Sequence, residues 1–453
     1  MNKKNIIAFS SKILNFAFLS FLLLSMLFTR PFVGLQYKSY RLGEVIILGS
    51  FIFAFVVLIL FNKLNLSEYF ESKTRNVYLF IILSFFILSI VSDSNFLDSY
   101  TFKTSSYVWT ISILFLTIWI FKTFHFNYLN FAIFLPAPFL MYLFSTGHYP
   151  DFIINIFNEF SDKFNFLKAS DIMLATICVN IFVKNIIKDK IYQFIYLTIS
   201  ISLVLPLLLF MSRGSFVGLL IFFIFELFYN RKFLRGNILK TFLISLLGII
   251  LFITSLIYID YLYVNEETKS LQYYEVLLNP GNIISGSVNE LALKQETRKV
   301  FLSFYIHYGR IESRDPTTNW RLDIWQDIIF DLAKENRLLT GYGYKEILPQ
   351  MTDPTAPGRL GRDGLNENVH SYFINILARG GVLQLFAFLY FYYTIIKKWK
   401  RDSGNYKILG FLSPVLFCAS LDIAMEGVQF PVLFFSTVGY ILFNQKNEIE
   451  HTN

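Results

Sequence analysis

Arg213 is the residue whose type and position most strongly suggest chemistry. It stands between two apolar runs, 191–211 and 214–230. An arginine at such a position is costly to bury, so it is either functional or a side chain that extends to the interface and fixes a turn. Its planar guanidinium can hold phosphate oxygens through two hydrogen bonds, which suits a lipid-linked phosphate or diphosphate.

Arg321 and His370 are the next candidates. Arg321 falls at helical spacing with Trp325 and Ile328, on the apolar side of a predicted amphipathic helix over 319–336. An arginine there needs an anionic partner, which is either a ligand or a loop carboxylate. His370 comes just before an apolar run. A neutral imidazole can act as a general base near physiological pH, whereas a lone histidine can also be purely structural.

Three carboxylates are secondary candidates. Asp422 and Glu426 are four residues apart, so the pattern predicts one shared face of a helix over 406–425, where they would orient an acceptor or pair with an arginine. Asp171 opens the run 171–187 and is either a site residue or a helix cap. The five histidines and two cysteines show no metal-ligand spacing, so we expect no structural metal.

The composition indicates what kind of scaffold positions these residues. Of the 453 residues, 55% are hydrophobic and 16% are charged, whereas soluble domains are usually about 45–50% apolar and about 25% charged. The sequence therefore predicts an all-α polytopic membrane protein with about twelve transmembrane helices. The apolar runs lie near 12–29, 45–62, 77–92, 106–122, 127–145, 171–187, 191–211, 214–230, 238–259, 371–396, 406–425 and 428–444.

The distribution of lysine and arginine predicts the orientation. The formal net charge of +8 is interpreted as cytoplasmic loop charge under the positive-inside rule and not as a nucleic-acid surface. Both termini are then cytoplasmic, and Arg213 faces outward. The predicted division is 1–259 for transmembrane helices 1–9, 260–369 for an extracytoplasmic loop domain, 370–446 for helices 10–12 and 447–453 for a cytoplasmic tail.

The segment 260–369 is too long for a simple connector. Its amphipathic helix is predicted to have Thr318 or Asn319 as its N-cap, and a turn at 341–343 follows it. The face opposite Arg321 carries three aspartates, Asp323, Asp327 and Asp331. Four further arginines of the segment are interpreted mainly as solvated surface charges, one of which could assist phosphate binding: Arg310, Arg314, Arg359 and Arg362.

Three local patterns occur in a fixed order along the chain. They are Ser212-Arg213-Gly214 at the start of an apolar run, Trp320-Arg321-Leu322-Asp323-Ile324-Trp325 followed by Leu339-Thr340-Gly341-Tyr342-Gly343, and His370-Ser371 with Gly380-Gly381 downstream. With one large outer loop between spans nine and ten, they resemble the O-antigen ligase and O-antigen polymerase superfamily. Lys168-Ala169-Ser170-Asp171 stands where the family often has an Asn-Pro-Asn-like turn. The last outer loop has no arginine, unlike some ligases, and carries Asp422 and Glu426 instead.

The resemblance implies an enzyme at the periplasmic face of the bacterial inner membrane. Such enzymes transfer a glycan from undecaprenyl diphosphate to a sugar hydroxyl, either on lipid A–core (ligase) or on another lipid-linked glycan (polymerase). Arg213 and Arg321 would neutralise the departing diphosphate, and His370 would take the proton of the acceptor hydroxyl. No cofactor or metal is implied, because the leaving group is already a diphosphate. Inversion at the anomeric carbon is expected.

Ligase is the leading interpretation because of the His370-Ser371 pattern. A sizeable second outer loop over 146–170, predicted to hold a short interfacial helix over 152–160, keeps the polymerase as the alternative. A flippase for lipid-linked sugars would predict paired repeats and ionisable residues at the membrane midplane. A non-catalytic scaffold would leave Arg213 and His370 without a role.

Overall fold

A computed structural model describes residues 3–95, 98–124, 128–163, 167–267, 303–364 and 366–452. Within these ranges the chain is a helical bundle with two small antiparallel hairpins, β1 (Gln36–Tyr37) with β2 (Tyr40–Arg41) and β3 (Phe304–His307) with β4 (Arg310–Ser313). The helices are α1 (Lys3–Val33), α2 (Leu42–Leu60), α3 (Ser72–Val91), α4 (Ser99–Thr104), α5 (Ser106–Trp109), α6 (Ser112–Thr123), α7 (Ala137–Ser145), α8 (Asp151–Phe160), α9 (Ala169–Val183), α10 (Lys190–Met211), α11 (Arg213–Gly236), α12 (Ile238–Glu267), α13 (Pro316–Lys334), α14 (Leu360–Asp363), α15 (Tyr372–Ser403), α16 (Leu409–Ser420) and α17 (Gln429–Thr452).

Seven helical stretches in the described residues are long and apolar enough to cross a membrane. They are Lys12–Val33, Leu42–Leu60, Ser72–Val91, Ser106–Thr123, Lys190–Met211, Ile238–Leu262 and Tyr372–Ser403. Shorter apolar helices lie at Leu129–Ser145, Ala169–Val183 and Leu409–Ser420. The predicted class, an all-α multi-pass membrane protein, is confirmed. The count of about twelve spans and the division into domains stay predictions, and part of the segment 260–369 lies outside the described residues.

The break between α10 and α11 lies where the sequence predicts a turn. Met211 ends α10, Ser212 is extended, and its hydroxyl accepts a hydrogen bond from the Ser215 N–H at 3.5 Å. A Cβ at Gly218 would come within 2.5 Å of the Met173 sulfur, so a larger residue would force the Met173 side chain to move where α9 packs on α11. This packing brings the first turns of both helices to the same end of the bundle.

Helix α13 begins earlier than the sequence predicts. Asp315 is its N-cap, and the carboxylate accepts from the Thr318 N–H at 2.9 Å, so the predicted caps Thr318 and Asn319 are wrong. The reason is local: an aspartate caps well, and Pro316 suits the first helical position because it has no N–H to satisfy.

Helix α13 and the apolar helix α15 share a small core. Ile324, Ile328 and Leu332 of α13 are buried against Val369 and against Leu377 of α15. This packing fixes α13 over the start of α15, and with it the position of Arg321 relative to His370.

A kink in α15 anchors the predicted turn after α13. Gly381 is non-helical at φ 67°, which frees carbonyls of the preceding turn. Tyr342 donates its N–H to the carbonyl of Ala378 at 2.7 Å, and Gly343 donates to that of Arg379 at 2.9 Å. A Cβ at Gly341 would lie 2.6 Å from the Arg379 carbonyl, so the approach requires glycine. Gly341 and Gly343 thus contact the kinked segment of α15 that contains Gly380 and Gly381.

The connection between α16 and α17 departs from the prediction. Helix α16 ends at Ser420, and Asp422 lies in a turn before a 3₁₀ segment, Ala424–Glu426. The prediction that Asp422 and Glu426 share one helical face is therefore wrong. The carboxylate of Asp422 accepts from the Ile423 N–H at 2.8 Å, a local bond that competes with helix continuation.

Candidate functional site

A cavity of about 460 Å³ lies at one end of the bundle, between α13 and the membrane helices. The first turns of three helices line it. Lys168 and Ala169 come from α9, Ser212 to Gly214 come from α11, and Asp315, Thr317 and Thr318 come from α13. Asp422 and the end of α16 complete the wall.

Three helix N-termini on one cavity create a positive field. Each N-terminus carries roughly half a unit of positive charge and presents N–H groups that the helix itself does not use. The side chains of Lys168, Arg213 and Arg321 add three formal cations to the same wall. Such a combination is suited to a ligand with more than one negative charge.

Arg213 is the first residue of α11 and is half-buried. Its position follows from the Ser212 cap, which turns the chain at the point where α11 starts. The sequence predicted this residue at a turn on the outer side, and the structure places it on the cavity wall.

Arg321 lines the same cavity from α13. Among the described residues its Nε atom is buried without a hydrogen-bond partner. Burial lowers the pKa of Arg321, while the negative charges of Asp422 and Asp315 oppose this effect. An arginine side chain remains protonated at neutral pH. Arg321 is therefore a cation whose Nε–H can still donate a hydrogen bond to a ligand.

His370 lies beside the cavity, just before α15. Its ring is edge-on to Trp320, with the centroids 5.0 Å apart. Trp325 donates its Nε1–H to the carbonyl of Val369 at 2.7 Å, which fixes the backbone next to His370. His370 itself has a left-handed backbone, φ 54°. Its side chain is not among the residues that line the cavity.

The charge state of His370 follows from its surroundings. Burial, and then the positive charge of Arg321, lower the pKa of His370 to about 4, although Asp422 acts in the other direction. The imidazole is therefore neutral at pH 7. Within the described part of the chain, neither ring nitrogen accepts or donates a hydrogen bond, which leaves both available to a substrate.

Asp422 is an acidic residue of the cavity that lies close to Lys168. Its carboxylate accepts from the Ser170 hydroxyl at 2.7 Å, and Lys168 Nζ lies 3.7 Å from its other oxygen. Its negative charge acts on both Arg321 and His370. The structure thus brings together four of the six predicted site residues, Arg213, Arg321, His370 and Asp422.

Asp171 and Glu426 do not line the cavity. Asp171 is buried inside α9 and accepts from the Gln429 side chain at 3.2 Å. It does not cap the helix, because Lys168 occupies the N-cap position. Glu426 has a buried Oε1 that finds no hydrogen-bond partner in the described ranges.

Arg379 and Lys168 were not singled out from the sequence. Arg379 is buried and donates to the carbonyls of Gly343 at 3.2 Å and Glu346 at 2.6 Å, which holds the turn after α13 on α15. Its signal in the sequence is an arginine inside an apolar run. Lys168 shows no such signal, because a lysine before a helix is common and only the fold reveals its neighbours.

Residues 198–389 match the family model described as O-Antigen ligase. The matched segment contains Arg213, Arg321 and His370, whereas Lys168 and Asp422 lie outside it. No curated protein matches the chain. The match confirms the predicted relation to the O-antigen ligase and polymerase superfamily over this segment, which is less than half of the chain. The family implies a glycosyltransferase-like enzyme of O-antigen assembly with lipid-linked glycan substrates, and the apolar helices agree with a multi-pass membrane protein.

Proposed function

From this relation we propose that the protein is an O-antigen ligase, which transfers a glycan from undecaprenyl diphosphate to a sugar hydroxyl of lipid A–core. One observation carries the proposal. A cavity lined by Arg213, Arg321 and three helix N-termini lies beside a histidine that is neutral at pH 7. A diphosphate is the anion that such a cavity fits, and a neutral imidazole is the base that a hydroxyl acceptor needs.

The reaction is a direct displacement at the anomeric carbon of the donor. The acceptor oxygen forms a bond to that carbon while the bond from carbon to the diphosphate oxygen breaks. The electron pair of the broken bond leaves with the lipid diphosphate. Because attack and departure are on opposite sides of one carbon, the configuration inverts.

Arg213 and Arg321 act on the leaving group. Negative charge develops on the bridging oxygen as the bond breaks, and guanidinium groups already in place stabilise it without reorganisation. The buried Nε of Arg321, which has no hydrogen-bond partner within the described residues, can donate to a phosphate oxygen. The chemistry requires no metal in this scheme, because the protein supplies the positive charge.

His370 takes the proton from the acceptor hydroxyl. At a pKa of about 4 it is a weak base in the empty site, partly because of Arg321. A bound diphosphate offsets the charge of Arg321, so donor binding raises the pKa of His370 and makes it a stronger base. The base is thereby strengthened only when the donor is present.

The polymerase of the same superfamily is the second candidate. One face of α8 exposes Phe152, Ile156 and Phe160 at helical spacing, in the second outer loop. An exposed apolar stripe of this kind suits the membrane interface, where a second lipid-linked substrate would be held. From the distribution of lysine and arginine among the connecting segments, we also propose that the site lies on the periplasmic side of the inner membrane, with both termini cytoplasmic.

Deletion of the gene in its host, followed by a gel of the surface glycolipid, tests the function. A ligase deletion should give bare lipid A–core while polymer accumulates on undecaprenyl diphosphate. A polymerase deletion should give lipid A–core with one repeat unit and no ladder. An unchanged ladder would contradict both readings and would favour a flippase or a scaffold.

Complementation with point variants links the function to the site. Wild type and His148→Ala should restore the glycolipid, because His148 is an exposed histidine outside the cavity. His370→Ala and Arg213→Ala should not restore it, although both proteins should reach the membrane in normal amount. Restoration by His370→Ala would remove His370 from the chemistry.

A further inference from the structure

The pairing of Lys168 with Asp422 is looser than a direct ion pair. Lys168 Nζ is 3.7 Å from the carboxylate, whereas a charge-assisted hydrogen bond from nitrogen to oxygen is about 2.7–2.9 Å. Asp422 meanwhile accepts from the Ser170 hydroxyl at 2.7 Å and from the Ile423 N–H at 2.8 Å. Asp422 is therefore held by two shorter bonds that do not involve Lys168.

Lys168 shares a cavity with two arginines. It is the N-cap residue of α9, makes no capping hydrogen bond with its side chain, and lines the same wall as Arg213 and Arg321. The other carboxylate of the cavity, Asp315, is engaged in capping α13 through Thr318. Three cations in one cavity repel each other, and a doubly charged anion between them removes that repulsion.

We propose that Lys168 is a third phosphate-binding residue of this site. Its ammonium group leaves Asp422 and donates to a phosphate oxygen of the lipid diphosphate, and it returns to Asp422 when the site empties. This inference rests on the proposed function and concerns residues outside the matched segment 198–389. No covalent bond changes in this step.

The proposal gives Asp422 a definite role. Its carboxylate holds Lys168 at the cavity wall in the empty site, and it also repels the incoming diphosphate. Donor binding therefore competes with an ion pair. Replacement of Asp422 by a neutral residue of the same shape should tighten diphosphate binding, and replacement of Lys168 should weaken it.

Binding of farnesyl diphosphate to the full-length protein in detergent tests these statements. Lys168→Met should weaken binding about 10- to 100-fold, the loss expected for one charge-assisted hydrogen bond. Farnesyl monophosphate has fewer phosphate oxygens to share among three cations. The Lys168→Met substitution should therefore weaken its binding less than it weakens the binding of farnesyl diphosphate. Lys168→Arg should retain most of the affinity. Lys103→Met is the matched control, because Lys103 pairs with Glu367 at 3.0 Å away from the cavity.

A double-mutant cycle separates ligand binding from simple charge neutralisation. If Lys168 contacts the diphosphate, Asp422→Asn/Lys168→Met should still bind at least about 10-fold more weakly than Asp422→Asn alone. If Lys168 only neutralises Asp422, these two proteins should bind equally, and the proposal would be overturned. Unfolding temperatures of all variants, measured in the same detergent, exclude an affinity loss caused by misfolding.

Failure of the inference and failure of the proposed function give different results. Wild-type protein that shows no saturable binding of farnesyl diphosphate, or Arg213→Ala and Arg321→Ala proteins that bind as well as wild type, would overturn the function and the inference together. Binding that depends on both arginines but not on Lys168 in the Asp422→Asn background would overturn the inference alone.

Discussion

The two sides of helix α13 use arginine in opposite ways. On the side away from the cavity, Arg310 bonds to Asp323 at 2.8 Å and to Asp327 at 2.7 Å, and Arg359 bonds to Asp327 at 2.7 Å. On the cavity side, Arg321 makes no ion pair in the described parts of the chain. A buried Nε without a hydrogen-bond partner is common to Arg310, Arg359 and Arg321, so the ion pairs are what differ. The same residue type is ion-paired with carboxylates on one side and has no ion pair within the described residues on the other.

The difference separates structural from functional charge. A buried cation without a partner is costly, and a fold retains it when a ligand supplies the missing anion. The paired arginines do what the fold requires: Arg310 ties β4 to α13, and Arg359, which is 2% exposed, also donates to the carbonyl of Gln350 at 2.9 Å and holds the loop after α13. Substitutions on the two sides should therefore affect different measurements.

The largest effect is expected from Arg321→Gln. Removal of one preorganised donor to developing charge typically lowers turnover about 10²- to 10³-fold. The unfolding temperature should not fall, because the substitution removes an unpaired buried charge. Transfer of glycan from a lipid diphosphate donor by purified protein measures the first quantity, and a thermal melt in detergent measures the second. An Arg321→Gln protein with normal turnover and a lowered melting temperature would show that Arg321 is structural.

Arg359→Met should give the reverse pattern. It removes two hydrogen bonds of a buried guanidinium and leaves the Gln350 carbonyl unsatisfied, which should lower stability by about 2–3 kcal/mol. Limited proteolysis of the loop after α13, together with a thermal melt, would detect the loss of stability. Turnover per folded molecule should stay within a few-fold of wild type. Loss of turnover without loss of stability would place Arg359 in the site.

The comparison also shows what the sequence could predict. The helical period placed Arg321 with the apolar residues and the aspartates on the other face, and both placements hold. The pattern could not show that Arg359 is buried, because its partner Asp327 is 32 residues away and the loop between them has no period. For the same reason the sequence did not single out Lys168, since its contact with Asp422 joins the start of one helix to a distant turn.

Local bonds account for the boundaries that the sequence placed wrongly. Asp315 and Asp422 each accept backbone N–H groups of the residues that follow them. The first bond starts a helix earlier than predicted, and the second contributes to a turn where a helix was expected. A hydrophobic pattern reports which residues are buried, but it does not report which carboxylate bonds its own backbone.

A smaller effect is expected on the titration of His370. Arg321 lowers the pKa of His370, so Arg321→Gln should raise it from about 4 towards the ordinary value of 6.5, although burial should keep it below that value. The neutral ring reacts with diethyl pyrocarbonate and the protonated ring does not. The modification rate of His370, followed by mass spectrometry, should thus start to fall at a higher pH in the variant than in wild type as the pH is lowered. Identical pH profiles of His370 modification in the two proteins would show that the charge of Arg321 does not change the pKa of His370.

The smallest effect is expected from Asp323→Asn, on the paired side of α13. The Asp323 side chain is 42% exposed, and Arg310 keeps its bond to Asp327 and a further bond to the Asp323 carbonyl at 3.1 Å. Exposed ion pairs contribute about 0–1 kcal/mol, so stability should change by no more than that and turnover should not change. Thermal melts at low and high salt measure the change in stability, because the contribution of an exposed ion pair decreases as the salt concentration rises. A loss as large as that of Arg359→Met would mean that the aspartate face acts as one network, in which no single pair is dispensable.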